Sequence, residues 1–166
     1  ASGKKRERQK GDYTTMWVLG RGGDDNWYVI TGVRDRLKLT ERARWLISLH
    51  REYMPAAGRV FYEETGMNAD IEAIEYMQKV ENHRFSITAI NPHGIKKNTR
   101  IERLLPITEA KRLYLPPSIV RLDWEKKAVN LIEIFKQEEY LAYPVLAHDD
   151  MLDSLSYIED EEVKKR

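Results

Sequence analysis

Cysteine is absent from this sequence of 166 residues. Disulfide bridges and thiolate metal ligands are therefore excluded, and any bound metal ion must be held by oxygen or imidazole groups. No apolar run is long enough to span a bilayer. Segment Gly20-Arg21-Gly22-Gly23 lacks the Gly-Lys-Ser/Thr ending of a phosphate loop, and no serine lies in a Gly-x-Ser-x-Gly context. These absences argue against ATP hydrolysis and against an elbow-type serine hydrolase.

The charge of the chain is nearly balanced but unevenly distributed. Lys and Arg number 28 and Asp and Glu number 27, so the net charge of +1 indicates no particular partner. The first ten residues are basic, with Lys4, Lys5, Arg6, Arg8 and Lys10. A basic arm of this kind either contacts phosphate or is a solvated loop, and the sequence leaves both interpretations open. The length predicts one domain over residues 1–166, and a hydrophobic fraction of 42% is typical of a globular rather than a disordered protein.

Hydrophobic periodicity and turn residues predict an α/β fold with a mixed sheet. The predicted strands are Thr14–Leu19, Trp27–Val33, Arg59–Glu63, Phe85–Ile90 and Arg112–Leu115. The predicted helices begin at Thr40, at Asn68, at Asn98 or Thr99, at Asp123 and at His148. The glycine-rich segment 22–26 predicts a hairpin between the first two strands. Helical connections between the later strands favour a parallel arrangement there.

Carboxylates are concentrated at two places that correspond to the usual ligand-binding edge of an α/β sheet. Glu63 and Glu64 directly follow an apolar strand, and ligand sites in such sheets lie beyond the carboxyl ends of strands. Asp149, Asp150 and Asp153 begin the last predicted helix, where the last two share one face. Capping and the helix dipole are a sufficient alternative explanation for the first two of these aspartates, but not for Asp153 among apolar neighbours. Together these acids are the oxygen ligands that Mg²⁺ or Mn²⁺ prefers.

A third feature is the basic segment Gly94–Ile101, which joins a glycine-containing loop to a predicted helix start. It carries Lys96, Lys97 and Arg100. Such a segment is either a clamp for the phosphate backbone of a nucleic acid or a solvated basic turn.

These segments, in this order, resemble the nuclease domain of the terminase large subunit of tailed bacteriophages. Asp12-Tyr13-Thr14 is similar to the family's Asp-Tyr-Thr/Ser segment, and Tyr62-Glu63-Glu64 is similar to the acid that ends its middle strand. Ile95–Ile101 resembles its Lys-x-x-Arg-Ile segment. His148-Asp149-Asp150-Met151-Leu152-Asp153-Ser154-Leu155 closely resembles its closing His-Asp-Asp-x-x-Asp-Ala-Leu helix. The resemblance implies an RNase H-like mixed sheet flanked by helices, and metal-dependent cleavage of double-stranded DNA concatemers during viral genome packaging.

The resemblance also implies a role for each matching residue. Glu63 and Asp150 would be metal ligands and, with Asp149, catalytic acids, while Asp149 and Asp153 would bind or orient a second ion. Asp12 would be an outer-shell group. His148 is either a surface or capping residue or, beside three acids, an outer-shell group of the metal site. Lys96, Lys97 and Arg100 would hold the DNA backbone. The implied cofactors are two divalent ions, Mg²⁺ or Mn²⁺, about 3.5–4 Å apart.

The implied setting is the host cytoplasm, without a membrane. The expected partners are double-stranded DNA, the ATPase motor domain of the same polypeptide, the portal and the small terminase subunit. In the family a leading metal-binding aspartate precedes the Asp-Tyr-Thr segment, so we expect the polypeptide to continue upstream of Ala1 with a first strand. Two alternatives are an RNase H-like Holliday-junction resolvase and a catalytically silent module that binds DNA or the portal.

Overall fold

The structure is a computed structural model that describes residues 13–54, 58–64, 67–92, 94–145 and 147–165. Over these residues the chain is mixed α/β and forms two compact units. The first unit comprises the chain up to Arg36 and the range Lys96–Asp160. The second unit comprises Leu37–Ile95 and the segment from Glu161 onward. Asp12 and the basic residues at positions 4–10 lie outside the described residues. None of the described helices combines the length and the apolar character needed to cross a membrane.

The chain contains both strands and helices along its length, with the β1–β2 and β6–β7 pairs each consecutive in the sequence. The strands are β1 (Thr14–Arg21), β2 (Trp27–Asp35), β3 (Val60–Glu63), β4 (Ile87–Ile90), β5 (Leu113–Tyr114), β6 (Val120–Leu122) and β7 (Ala128–Asn130). The α-helices are α1 (Leu39–Tyr53), α2 (Met67–Val80), α3 (Lys97–Glu102), α4 (Leu105–Glu109), α5 (Leu131–Ile134), α6 (Asp150–Ser156) and α7 (Glu161–Lys164). A π-helical turn, Phe135–Tyr140, continues α5, and a 3₁₀ turn, Tyr157–Glu159, continues α6.

The first unit is built on the predicted hairpin. Strands β1 and β2 are antiparallel, with Thr14 opposite Asp35, and β5 adds to β2 in parallel. The hairpin turn is closed by Asp24, whose carboxylate accepts hydrogen bonds from the Asn26 backbone N–H at 3.1 Å and the Tyr28 hydroxyl at 2.9 Å. The sheet contributes buried valines to a core completed by the last helices, with Val18, Val29, Val33, Leu131, Ile132, Phe135, Met151 and Leu155 among its members.

The second unit pairs two helices with a small parallel sheet. Strands β3 and β4 align Val60 with Ile87 and Glu63 with Ile90. Helices α1 and α2 pack against each other, and an Arg42–Asp70 ion pair at 2.6 Å joins them. Helix α1 begins at Leu39, ahead of the predicted cap Thr40, because the Glu41 carboxylate accepts the Lys38 backbone N–H at 2.8 Å.

The prediction of a helix that begins at Asp123 is wrong for the first half of that helix. Asp123 instead starts the turn of the β6–β7 hairpin, where its Oδ1 accepts the backbone N–H groups of Glu125 at 2.8 Å and Lys127 at 2.9 Å. The helix begins only at Leu131, since the side chain of Asn130 accepts the Ile132 N–H at 3.2 Å and caps it. An aspartate that caps a helix and one that closes a turn satisfy the same kind of local N–H groups, so the residue type did not decide between them.

Candidate functional site

The predicted acidic residues of the closing segment lie around one short helix of the first unit. We call α6 together with its N-cap residue Asp149 the acid helix. Its apolar side is fully buried, with Met151, Leu152 and Leu155 in the core. Asp149, Asp150 and Asp153 are half-buried on the helix. The predicted closing helix is present: it begins at Asp150, two residues after the predicted start at His148, and both Asp150 and Asp153 lie in its first turn.

Strand β1 anchors the acid helix from the sheet. The indole N–H of Trp17 donates to the Ser154 hydroxyl at 3.1 Å and lies 3.3 Å from the Met151 carbonyl. Trp17 also packs edge-on against Phe135, with ring centroids 5.9 Å apart. The carboxylates therefore project from a helix whose backbone is tied to the hairpin.

The basic segment and the acid helix, predicted separately from the sequence, contact each other. Lys97 Nζ lies 2.5 Å from Asp149 Oδ1 and 3.7 Å from Asp153 Oδ2. Arg100 donates to Asp153 Oδ1 from Nη2 at 2.6 Å and from Nε at 3.2 Å. Helix α3 thus brings two of the three predicted DNA-binding cations against two of the predicted metal-binding acids.

Asp150 differs from its neighbours because its side chain makes no direct hydrogen bond or ion pair to another described residue. Burial raises the pKa of Asp150, and the positive charges of Lys97 and Arg34 act against that rise. Burial acts to lower the pKa of Lys97, but the hydrogen bond that its ammonium donates to Asp149 and the negative charge of Asp153 outweigh that effect and raise it. Asp150 is accordingly the carboxylate of the acid helix that is available to an added cation.

Two further residues join this cluster without having been predicted for it. Glu139, on the π-helical turn, is fully buried, and its Oε2 accepts the backbone N–H groups of Met151 and Leu152, each at 2.9 Å. Arg34, at the end of β2, lies with Nε 3.7 Å from the other carboxylate oxygen of Glu139. Burial raises the pKa of Glu139 to about 7, and the negative charge of Asp150 acts in the same direction.

One sequence signal could have found Glu139. It follows the buried residues Ile132 and Phe135 at helical spacing, which places an acid on the inward stripe. An acid in that position needs a partner. No comparable pattern marked Arg34.

The Asp12-Tyr13-Thr14 segment also reaches the cluster, through Tyr13. The Tyr13 ring lies under the Arg34 guanidinium, 3.7 Å from its centroid, and edge-on to His148 at 5.2 Å. His148 is exposed beside the acid helix. Three of the four segments on which the resemblance depends therefore meet in the first unit.

The remaining predicted residues lie elsewhere. Glu63 ends β3 in the second unit, half-buried, and its convergence with Asp150 stays a prediction. Lys96 is exposed at the N-cap of α3. Asp12 lies outside the described residues.

The fit of the cluster to a divalent ion is partial. The available donors are carboxylate oxygens, the type that Mg²⁺ and Mn²⁺ prefer. Across the described ranges, however, no group of three or more His, Asp or Glu side chains is arranged to hold a metal ion. Asp149 and Asp153 face cationic side chains, so Asp150 is the ligand that needs no exchange of partners.

Comparisons with known proteins returned no match: no family model, no curated protein sequence and no solved structure is significantly similar to the chain.

Proposed function

We propose that this chain is a metal-dependent endonuclease domain of the terminase type, which hydrolyses phosphodiester bonds of double-stranded DNA. The observation that carries the proposal is the contact between α3 and the acid helix. Lys97 and Arg100 belong to a segment with the character of a phosphate clamp, and they lie within 2.5–2.6 Å of Asp149 and Asp153. A site that cleaves DNA needs cations for the backbone and acids for metal ions in one place.

In this proposal each part of the cluster has one task. Asp150 would hold a divalent ion, which would supply Lewis-acid activation of water and neutralise charge on the leaving oxygen. Asp149 and Asp153 complete the set of acids. Lys96 is exposed at the start of α3, where it can contact backbone phosphates without regard to sequence. Arg100 and Lys97 orient the acids and limit their mutual repulsion.

Substitution of Asp150 tests the proposal directly. Purified wild type should cut linear duplex DNA in Mn²⁺ and not in EDTA. Asp150→Asn should lower the rate by a factor of about 100 or more while the melting temperature changes little, because the Asp150 side chain has no direct partner among the described residues to lose. The exposed acid Glu133 on α5 provides the control, since Glu133→Gln should cleave at the wild-type rate. Cleavage by Asp150→Asn at the wild-type rate, or a strong preference for four-way junctions, would contradict the proposal.

One observation favours a second candidate, a catalytically silent module that binds DNA. Asp149 and Asp153 are engaged by Lys97 and Arg100, and these pairs compete with metal binding. The silent module predicts DNA binding in EDTA, no cleavage in Mn²⁺ and no calorimetric signal for Mn²⁺. The nuclease predicts Mn²⁺ binding that Asp150→Asn weakens.

A further inference from the structure

The acid helix is short and its first turn is stabilised from outside. Its helical part, α6, has seven residues, too few for an isolated helix to persist in water. The first N–H groups of any helix lack partners within the helix, and a side chain at the N-cap usually accepts one of them. Here the N-cap residue Asp149 makes no such hydrogen bond, because its carboxylate faces Lys97.

Glu139 supplies the hydrogen-bond acceptor for the first turn that the N-cap side chain does not supply. Its Oε2 accepts two N–H groups of the first turn, those of Met151 and Leu152, both at 2.9 Å. The Met151 N–H belongs to the peptide bond that directly follows Asp150. The position of the Asp150 backbone is thus tied to a carboxylate on a different element, the π-helical turn.

Stability alone does not favour an acid at position 139. The side chain is fully buried beside Phe135, and an apolar residue of similar size avoids the cost of removing a carboxylate from water. The nearby Arg34 guanidinium offsets part of that cost from 3.7 Å. An apolar residue would, however, leave two N–H groups of the acid helix without acceptors.

We propose that Glu139 is a positioning residue of the site: it caps the acid helix from the neighbouring π-helical turn and thereby fixes the Asp150 carboxylate in its reactive position. This role rests on the proposed nuclease function, because the orientation of Asp150 matters for catalysis only if Asp150 takes part in it. A displacement of about 1 Å at a reacting group costs up to about 100-fold in rate.

Two conservative variants distinguish the effect of side-chain length at position 139 from the effect of its negative charge. Glu139→Gln keeps the length of the side chain and an oxygen that accepts both N–H groups, but removes the charge. Glu139→Asp keeps the charge but is one methylene shorter and cannot reach them. If hydrogen bonding to the helix is what matters, Glu139→Gln should retain kcat within about threefold, and Glu139→Asp should lose 10- to 100-fold in kcat with KM nearly unchanged.

The matched control is the neighbouring exposed acid, Glu138. Glu138→Asp should leave both kcat and KM within about twofold of the wild type. Amide hydrogen exchange provides a second readout that does not depend on cleavage. The Met151 and Leu152 amides should exchange at least about tenfold faster in Glu139→Asp than in the wild type, and at nearly the wild-type rate in Glu139→Gln.

Each result decides the matter. Full activity of Glu139→Asp, or equal losses in Glu139→Gln and Glu139→Asp, would overturn the positioning role. Unchanged amide exchange in Glu139→Asp would overturn the capping contact itself. Failure of the wild type to cleave DNA would instead reject the nuclease proposal and with it the catalytic purpose of the contact, while the exchange rates would still report whether Glu139 holds the helix.

Discussion

The Arg100–Asp153 pair allows a quantitative test of how the acid helix is held. Arg100 makes two hydrogen bonds to Asp153 Oδ1, at 2.6 and 3.2 Å, and its guanidinium lies 5.4 Å from the centroid of the Tyr157 ring. The two side chains are only 12% and 14% exposed. Arg100→Gln would therefore leave a poorly solvated carboxylate without its main partner.

The expected cost lies between two limits. Exposed ion pairs contribute about 0–1 kcal/mol, whereas breaking a buried pair costs about 3–5 kcal/mol. Here the remaining cation Lys97, with Nζ 3.7 Å from Asp153, compensates part of the loss. We expect Arg100→Gln to lower the free energy of unfolding by about 2 kcal/mol, which corresponds to a decrease of roughly 4–8 °C in Tm for a chain of this size.

Urea and thermal denaturation at pH 7 in EDTA measure this cost. The exposed neighbour Arg103 is the control, and Arg103→Gln should change the free energy of unfolding by less than about 0.5 kcal/mol. A double-mutant cycle with Asp153→Asn should give a coupling energy of about 1–2 kcal/mol. If Arg100→Gln melts within 1 °C of the wild type, or the coupling is near zero, the reasoning that treats this pair as a stabilising contact of the helix is refuted.

Three further predictions concern other parts of the chain. The folded-state pKa of about 7 for Glu139, above its ordinary 4.5, means that the wild type loses stability as pH rises from 4.5 to 7. In EDTA, the free energy of unfolding of Glu139→Gln relative to that of the wild type should increase by roughly 3 kcal/mol between pH 4.5 and pH 8. Parallel pH profiles of the two proteins in urea denaturation would contradict this. Burial and the neighbouring His83 lower the pKa of His50, so stability should fall as pH drops below about 6.5. The difference in Tm between pH 7 and pH 5 should therefore be smaller in His50→Phe than in the wild type, and an equal difference would contradict this prediction. Gly32→Ala should lower the free energy of unfolding, measured by urea denaturation, by about 1–3 kcal/mol. A Cβ at that position would lie 2.7 Å from the Trp17 indole ring on the opposite strand and 2.9 Å from a carbonyl oxygen. Gly23 has open space around it, so Gly23→Ala should be nearly neutral.

Elements with strong local signals were predictable from the sequence. The hairpin is set by a glycine-rich turn in which Asp24 and Asn26 satisfy each other, and such a turn is specified by neighbouring residues alone. The helices around Leu49 and Ile74 have apolar residues at helical spacing, and the structure buries these two side chains. Local patterns succeeded where the deciding contacts lie within a few residues.

The prediction was wrong or incomplete where distant contacts decide. Asp123 closes a hairpin turn, and the strands that make this turn possible depend on Asn130, which binds both the Ile119 N–H and the Ile132 N–H. Glu139 was missed because the run Lys136–Tyr140 is strongly polar and resembles a solvated face. Its true partners, the amides of the acid helix, lie 12 and 13 positions away in the sequence. The spacing after Ile132 and Phe135 places Glu139 on the inward stripe, but it does not reveal which groups the carboxylate contacts there.

The same charges that support the nuclease proposal also constrain it. Four carboxylates surround the start of the acid helix (Asp149, Asp150, Asp153 and Glu139), and three cations face them (Lys97, Arg100 and Arg34). A divalent ion that bound Asp149 would have to displace Lys97 Nζ from 2.5 Å, and the displaced ammonium would then be free for a phosphate. Metal and DNA would therefore bind cooperatively if Lys97 exchanges partners, since each ligand removes a cost for the other. Lys97→Gln should in that case tighten Mn²⁺ binding in the absence of DNA and abolish the cooperativity, whereas a silent module would show neither effect.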